Sequence, residues 1–169
     1  MVYLISETTI RDCSLVNDSV ETGYIMQAIG VAQDVRLQEI IGSRLYKRLQ
    51  SLVVNGDISD PAYLQYKEIL DGDIKNFLIY STMSEIQPML YGKIRNAGVV
   101  QSQDTQTQQL TLSDVHYLTE YYNTKADFYA KKLGAYLCAN KSQFPEYTHC
   151  DCCGEIGANG GEPTCNLNI

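Results

Sequence analysis

The sequence predicts a mainly α-helical protein: a compact bundle of about five helices with a small β-arm and a flexible Cys/Gly-rich C-terminal tail. The strongest observation is an apolar stripe over residues 115–137, whose members are 3, 4, 4, 3, 4 and 4 residues apart, as on one helix face. Helix-start signals such as Asp60-Pro61 support the helical class. Residues 148–169 have no apolar pattern, so we predict a helical domain over 1–147 and a separate tail.

The N-terminal part of the chain is predicted to be irregular before a first helix. Residues 1–16 lack helical periodicity, and Val2–Ile5 is predicted as a short edge strand. Asn17 or Asp18 can accept a hydrogen bond from a free backbone N–H, which predicts a helix start there. The apolar residues that follow have helical spacing, and this helix is predicted to run to about Ile41.

Two helical pieces are predicted to meet at Gly42-Ser43. Glycine can adopt the left-handed conformation that ends a helix, and Ser43 is predicted to cap the helix that follows. That second helix is predicted over residues 44–54, with Asn55-Gly56 as the turn that ends it.

The middle of the chain is predicted to form two further helices. One begins at Asp60-Pro61, because proline at the first helical position has no N–H to leave unpaired, and runs to about Leu70. Asp71-Gly72-Asp73 is predicted to interrupt it and to begin the next helix, which closes at Asn96-Ala97-Gly98. Pro88 is predicted to kink that helix, because proline removes one backbone hydrogen bond.

A polar segment separates these helices from the last one. Residues 99–110, VVQSQDTQTQQL, have no core periodicity and are predicted as a loop or a weak two-stranded arm that contacts another subunit. Its predicted interface residues are Val99, Val100, Gln101, Gln103, Gln106, Gln108 and Gln109. Thr111 and Asp114 then match the capping-box pattern at the start of the long last helix.

Charge and hydropathy limit the class of protein. The net charge of −7 disfavours a nonspecific grip on nucleic acid, which needs clustered Lys and Arg to replace phosphate counterions. No apolar run approaches the roughly 20 residues that span a bilayer, and residues 1–12 lack the features of a signal peptide. We therefore predict synthesis in the cytoplasm and no membrane partner.

The C-terminal tail contains the strongest candidate for metal chemistry. Zinc takes four Cys or His ligands, usually from two spaced pairs, and Cys150-x-x-Cys153 has the spacing of one pair. The second pair is incomplete, so we predict reduced thiols and no cofactor, with zinc as the alternative. The candidate ligands are His149, Cys150, Cys152, Cys153 and Cys165.

Two further groups of side chains are candidates for catalysis by residue type, and neither is predicted to be catalytic. His116 has no partner at a recognisable spacing for a nucleophile or general base. Asp57, Asp60, Asp71 and Asp73 lie at predicted turns and caps, where aspartate is expected for backbone reasons. An enzyme is therefore the weakest class.

A short basic run in the helix predicted over residues 44–54 and two isolated cysteines are predicted to have structural rather than chemical roles. Arg44, Lys47 and Arg48 are predicted to lie on one solvated helix face. Arg44 and Lys47 are retained as a second predicted interface, beside the arm. Cys13 and Cys138 are predicted to pack as small apolar residues.

Several stretches of the chain resemble a known family. They are Ala32-Gln33-Asp34, Ile41-Gly42-Ser43-Arg44-Leu45-Tyr46, Gly98-Val99-Val100-Gln101, Leu137-Cys138-Ala139-Asn140 and Phe144-Pro145-Glu146-Tyr147. In these stretches the chain resembles the small helical head–tail connector (neck ring) proteins of tailed bacteriophages, with the closest likeness to those of crAss-like and related phages infecting Bacteroidota. The likeness covers most of residues 1–150, and none of the stretches is a catalytic signature.

The resemblance implies a structural virion protein. Such proteins are mostly α-helical and form rings, typically twelvefold, below the portal, where they join head to tail and continue the DNA channel. The implied partners are further copies of the chain, the portal protein, other neck or tail proteins, and genomic DNA that passes without specific binding. The implied location is the virion neck.

Two alternatives remain open. The first is another neck component, such as a stopper or tail-completion protein. The second belongs to a different class: a small zinc-binding adaptor or regulator that uses the cysteine tail.

Overall fold

The structure is a computed structural model that describes residues 2–14, 16, 19–95, 98–101 and 111–148, with the backbone alone for 93–95 and 98–101. The protein is mainly α-helical, as predicted. In chain order its elements are α1 (Glu7–Cys13), α2 (Thr22–Val31), a first π turn (Ala32–Leu37), α3 (Gln38–Asn55), two short 3-10 turns (Asp57–Ser59 and Pro61–Tyr63), α4 (Leu64–Ile69), a second π turn (Leu70–Ile74), α5 (Lys75–Tyr91), β1 (Gly92–Arg95), β2 (Gly98–Gln101) and α6 (Leu112–Ala139).

The N-terminal segment corrects two predictions. Residues 2–5 form no strand, and Glu7–Cys13 is a helix where an irregular segment was predicted. Ser6 caps this helix, because its Oγ accepts a hydrogen bond from Thr9 N at 3.1 Å. The predicted caps Asn17 and Asp18 lie outside the described residues, and α2 begins only at Thr22.

The core is centred on α5. This helix packs against α6, α2 and the first π turn. Its apolar residues Phe77, Leu78 and Ile86 are at most 1% exposed, and similar residues of α2 and α3 complete one continuous cluster. Burial of this apolar surface is the main force that holds the helices together.

The first π turn is a polar junction at the edge of this core. Gln33 is fully buried; its Nε2 donates to Val2 O at 2.7 Å, and its Oε1 accepts from Leu4 N at 3.1 Å. The next residue, Asp34, accepts a hydrogen bond from the Tyr46 hydroxyl of α3. Burial raises the pKa of Tyr46, and its bond to Asp34 raises that pKa further. The turn therefore fastens both the N-terminal segment and α3.

The break predicted at Gly42 is present, but its geometry differs from the prediction. Gly42 has φ 77° and ψ 154°, which is outside the left-handed helical region and in a region that essentially only glycine adopts. The helix continues through it as a kink. Ser43 does not cap the second piece: its Oγ accepts from the Gln38 side chain at 2.9 Å.

Replacing Gly42 with Ala should destabilise the protein by about 1–3 kcal/mol, because a Cβ is strained at this φ and ψ. Urea unfolding measures the change. The control is Gly134→Ala in α6, where an added Cβ meets nothing within 4 Å and should stabilise the helix by about 0.5–1 kcal/mol. Equal effects of the two substitutions would show that Gly42 does not carry the kink.

The helix start predicted at Asp60-Pro61 is confirmed, because Asp60 Oδ1 accepts a hydrogen bond from Ala62 N at 2.8 Å. Gly56 is left-handed with φ 78° and ends α3 as predicted. The predicted interruption at Asp71-Gly72-Asp73 is wrong, because the second π turn joins α4 to α5 without a break. A π turn adds one residue to a helical turn, so it absorbs the Gly without ending the helix.

The helix end predicted at residues 96–98 is also wrong. α5 ends at Tyr91, and β1 pairs with β2 in an antiparallel hairpin with Gly92 opposite Gln101. Of the predicted arm, residues 102–110 lie outside the described residues.

The start and the buried face of α6 follow the sequence prediction. Thr111 Oγ1 accepts from Asp114 N at 3.2 Å, while Asp114 Oδ2 accepts from Thr111 N at 2.8 Å, which completes the capping box. The predicted stripe faces the core. Its buried members are Val115, Ala126, Leu133 and Leu137, and its half-buried members are Leu118, Tyr122 and Tyr129.

Candidate interaction surfaces

Arg36 of the first π turn ties α6 to the rest of the bundle. Its Nη1 donates to Ser84 Oγ of α5 at 2.8 Å and to Asn123 Oδ1 of α6 at 3.1 Å. The carboxylates of Glu85 and Asp127 lie 3.8 and 3.9 Å from its guanidinium nitrogens. Such a guanidinium, held by two helices, fixes how α6 lies on α5.

The stretch Phe144-Pro145-Glu146-Tyr147 closes one end of the bundle. Phe144 is fully buried, with its ring edge-on to Tyr66 of α4 at a centroid distance of 5.4 Å. Glu146 Oε2 accepts a hydrogen bond from the Tyr66 hydroxyl at 2.8 Å. These contacts hold α4 against the residues that follow α6 and give this stretch a structural role.

Arg48 belongs to the same cluster and corrects a prediction. Its guanidinium lies 4.9 Å from the ring centroid of Tyr63, and its Nε is 3.7 Å from Glu146 Oε1. Arg48 is therefore half-buried between partners, whereas its neighbours Arg44 and Lys47 are exposed as predicted. A position over an aromatic ring suits arginine because its planar guanidinium packs on aromatic faces.

The raised pKa of Tyr66 in this cluster predicts that the folded protein loses stability at high pH. Burial, followed by the hydrogen bond to Glu146 and its charge, raises the pKa of Tyr66 to about 12. An unfolded tyrosine titrates at about 10. Because the folded state favours the protonated phenol, its contribution is complete below about pH 10 and is lost as the pH rises through about 12.

Tyr66→Phe should therefore lose less stability than the wild type between about pH 10 and 12, because phenylalanine does not titrate. Its stability at neutral pH should be lower than that of the wild type, because a hydrogen bond is missing. Urea unfolding at each pH measures this. Tyr117→Phe, at an exposed tyrosine, is the control and should follow the wild-type curve. If Tyr66→Phe loses as much stability over this pH range as the wild type, the pKa of Tyr66 is not raised.

His116 and the four aspartates, none of which was predicted to be catalytic, lie in separate surroundings. His116 is exposed near the start of α6, and Asp57 and Asp71 are exposed beside the turns. Asp73 instead accepts from Lys132 Nζ of α6 at 2.7 Å, which the sequence did not suggest. That contact joins the second π turn to α6, as Arg36 joins the first.

The structure describes Cys13 and Cys138 but none of the candidate metal ligands of the tail. Cys13 is exposed, so its predicted packing as an apolar residue is wrong. Cys138 is half-buried, with its Sγ 3.9 Å from the Tyr147 hydroxyl. Within the described residues no group of three or more His, Cys, Asp or Glu side chains is placed to hold a metal ion. The tail ligands lie beyond those residues; they are His149, Cys150, Cys152, Cys153 and Cys165.

The outer side of α6 carries three exposed aromatic residues, which we call the aromatic face: Tyr117, Tyr121 and Phe128. They are 71%, 48% and 62% exposed. Spacings of four and seven place them on one side of the helix, over about 16 Å of its length. A row of large aromatics in water is typical of a surface that a partner covers. The same spacing rule that identified the buried stripe could have identified this second one.

The predicted interface residues near the hairpin are only partly placed. Val99, Val100 and Gln101 lie in β2, directly after the strand that leaves α5. The other predicted arm residues lie outside the described part of the chain; they are Gln103, Gln106, Gln108 and Gln109.

The fold and the exposed surfaces define a mainly helical protein with an aromatic face on its longest helix. The chain belongs to a family of unknown function, DUF6712, whose sequence profile matches residues 37–156. No curated protein and no solved structure shows a significant match. In the part of the chain that the structure describes, no helix has the length and apolar character needed to cross a membrane.

Proposed function

We propose that this protein is a subunit of a ring in the neck of a tailed phage, below the portal, that joins head to tail and continues the DNA channel. The observation that carries the proposal is the aromatic face, taken with the sequence resemblance to connector proteins. Exposed aromatics in a row suit a surface that a neighbouring subunit covers. Contacts between different faces of identical subunits close into a ring when the rotation permits.

The charge of the chain is compatible with a DNA conduit. A net charge of −7 repels phosphates, so DNA passes without the counterion-releasing contacts that would hold it. A ring of such subunits provides a smooth passage during genome ejection.

Residues 99–110 are proposed as an arm that contacts a neighbouring subunit or the next ring of the neck. Backbone N–H and C=O groups at the edge of a two-stranded hairpin can pair with another strand whatever the side chains are. Gln side chains add hydrogen bonds without the desolvation cost of charges.

Shortening residues 99–110 to a tight Gly-containing turn tests this role. The domain should stay folded by circular dichroism, because α5 and α6 pack on each other directly, while ring formation or entry into virions should decrease. Sedimentation velocity and electron microscopy report both. If rings and virions are normal, the arm has no assembly role and the interface moves to the exposed face around Arg44 and Lys47.

The zinc-binding adaptor is the alternative from another class. Deleting residues 149–169 separates the two, because a structural zinc site would make thermal unfolding depend on the tail and on metal. The ring proposal expects the melting temperature to be unchanged by the deletion and by chelator. A stopper or tail-completion role would instead give a different position in the neck, visible by electron microscopy of virions.

A further inference from the structure

We infer that the ring closes by contact between the aromatic face of one copy and an acidic face of the next copy. The acidic face consists of the exposed residues around the end of α3 and α4: Val54, Asp57, Asp60, Leu64, Glu68 and Asp71. This inference rests on the proposed ring and adds to it the two surfaces that meet.

The two faces have opposite charge. Residues 117–132 contain three lysines, Glu120 and Asp127, with Lys132 bonded to Asp73 and Asp127 near Arg36, while residues 57–71 contain four carboxylates and one lysine. Lys125 and Lys131 are exposed on either side of the aromatic row, and the Lys125 Nζ lies 5.6 Å from the ring centroid of Tyr121. Opposite potentials of this kind set the orientation of two surfaces and speed their encounter.

Four of these charged side chains have no ion-pair partner in the part of the chain that the structure describes. Among the described residues, no carboxylate lies within ion-pair distance of Lys125 or Lys131, and no cation lies within that distance of Asp57 or Glu68. The neighbouring carboxylate of α6, Asp127, is instead 3.9 Å from Arg36. Over the described ranges, Lys125 and Lys131 on one face and Asp57 and Glu68 on the other are therefore the charges available to a partner.

Both faces also carry exposed apolar side chains. Val54 and Leu64 are 64% and 53% exposed on the acidic face, and the three aromatics of the other face are exposed to a similar degree. An interface combines a central apolar contact with charged residues at its rim, and aromatic side chains are enriched at its centre. The aromatic row with flanking lysines and the apolar pair with flanking carboxylates match this pattern.

Within one copy the two faces adjoin at one edge, where Lys132, next to Lys131, donates to Asp73, two residues after Asp71; the apolar parts of the faces are the parts offered to another copy. α4 packs, through Tyr66, on Phe144 beyond the C-terminal end of α6. The aromatic face ends at Phe128, 11 residues before the helix end at Ala139, which is about 16 Å along the axis. Pairing two aromatic faces by a twofold axis would place lysines against lysines, so a head-to-tail contact is favoured.

Charge reversal tests this contact. Lys125→Glu with Lys131→Glu, or Asp57→Lys with Glu68→Lys, should each weaken association about tenfold or more, measured by sedimentation velocity on the full chain. Combining the four substitutions should restore association, because the charges again oppose each other. Asp60 is left unchanged because it caps the helix start. Circular dichroism confirms that each variant is folded.

Lys141→Glu is the control, since it reverses an exposed cation that follows α6 and lies in neither face, and it should leave association unchanged. Rings that survive every reversal, or that only the control disrupts, would overturn this contact but not the ring. Failure of the combined variant to recover would also overturn it. A wild-type chain that stays monomeric at every concentration would overturn both the contact and the proposed function.

Discussion

Replacing Phe144 with Ala should destabilise the protein by about 3–5 kcal/mol, the usual cost of truncating a buried aromatic residue. Phe144 is fully buried, and its ring contacts those of Tyr66 and Tyr136. The truncation removes apolar burial and leaves a cavity where α4 meets the residues after α6. Urea unfolding followed by circular dichroism measures the loss.

Gln143→Ala is the control, because this neighbouring residue is exposed and the change should stay within about 0.5 kcal/mol. A loss below about 1 kcal/mol for Phe144→Ala would mean that the chain after α6 is not part of the cooperative unit. The folded domain would then end near Ala139, and the contact of Glu146 with Tyr66 would contribute little.

Leu133→Ala should cost about 2–5 kcal/mol. Leu133 is fully buried on the face of α6 that packs on α5. Truncation opens a cavity at the largest helix–helix contact of the bundle, where close packing leaves little room for relaxation. Thermal or urea unfolding measures the effect.

Leu112→Ala makes the same chemical change on the same helix at a residue that is 67% exposed, and it should cost little. If Leu133→Ala and Leu112→Ala had equal effects, the buried stripe would not carry the packing of α6. The pair of variants separates burial from helix propensity, because both replace Leu with Ala.

The sequence predicted α6 well because two independent patterns agreed there. The apolar stripe and the Thr111–Asp114 capping box each follow from helix geometry alone. The break at Gly42 and the start at Asp60-Pro61 were predictable for a similar reason, since Gly and Pro restrict the backbone directly.

The π turns and the buried polar side chains could not be predicted in the same way. A π turn shifts the hydrogen-bond pattern by one residue and has no side-chain signature, so the sequence of Asp71-Gly72-Asp73 predicts an interruption that the structure does not contain. The internal contacts of Gln33 and Arg36 could not be predicted, because a periodicity rule places polar residues at the surface. Their tertiary partners, such as Val2 O and Ser84, are 31 and 48 residues away in the chain.

The candidate surfaces were predicted only in part. Arg44 and Lys47 are exposed as expected, but Arg48 is held by Tyr63 and Glu146, which sequence spacing does not bring together. The aromatic face was not predicted, because the apolar spacing of α6 identifies the stripe that faces the core and not a second row of exposed aromatic residues. Tyr122 and Tyr129 do pack inward, and the residues that precede them, Tyr121 and Phe128, point outward.

Native mass spectrometry of the full-length protein tests the proposed ring most directly, since it reports stoichiometry and bound metal together. The ring proposal predicts one large, closed, zinc-free oligomer of defined subunit number that dissociates as the ionic strength rises, because charged surfaces contribute to its contacts. A monomer at every concentration, above all one that carries one zinc ion per chain, would contradict it.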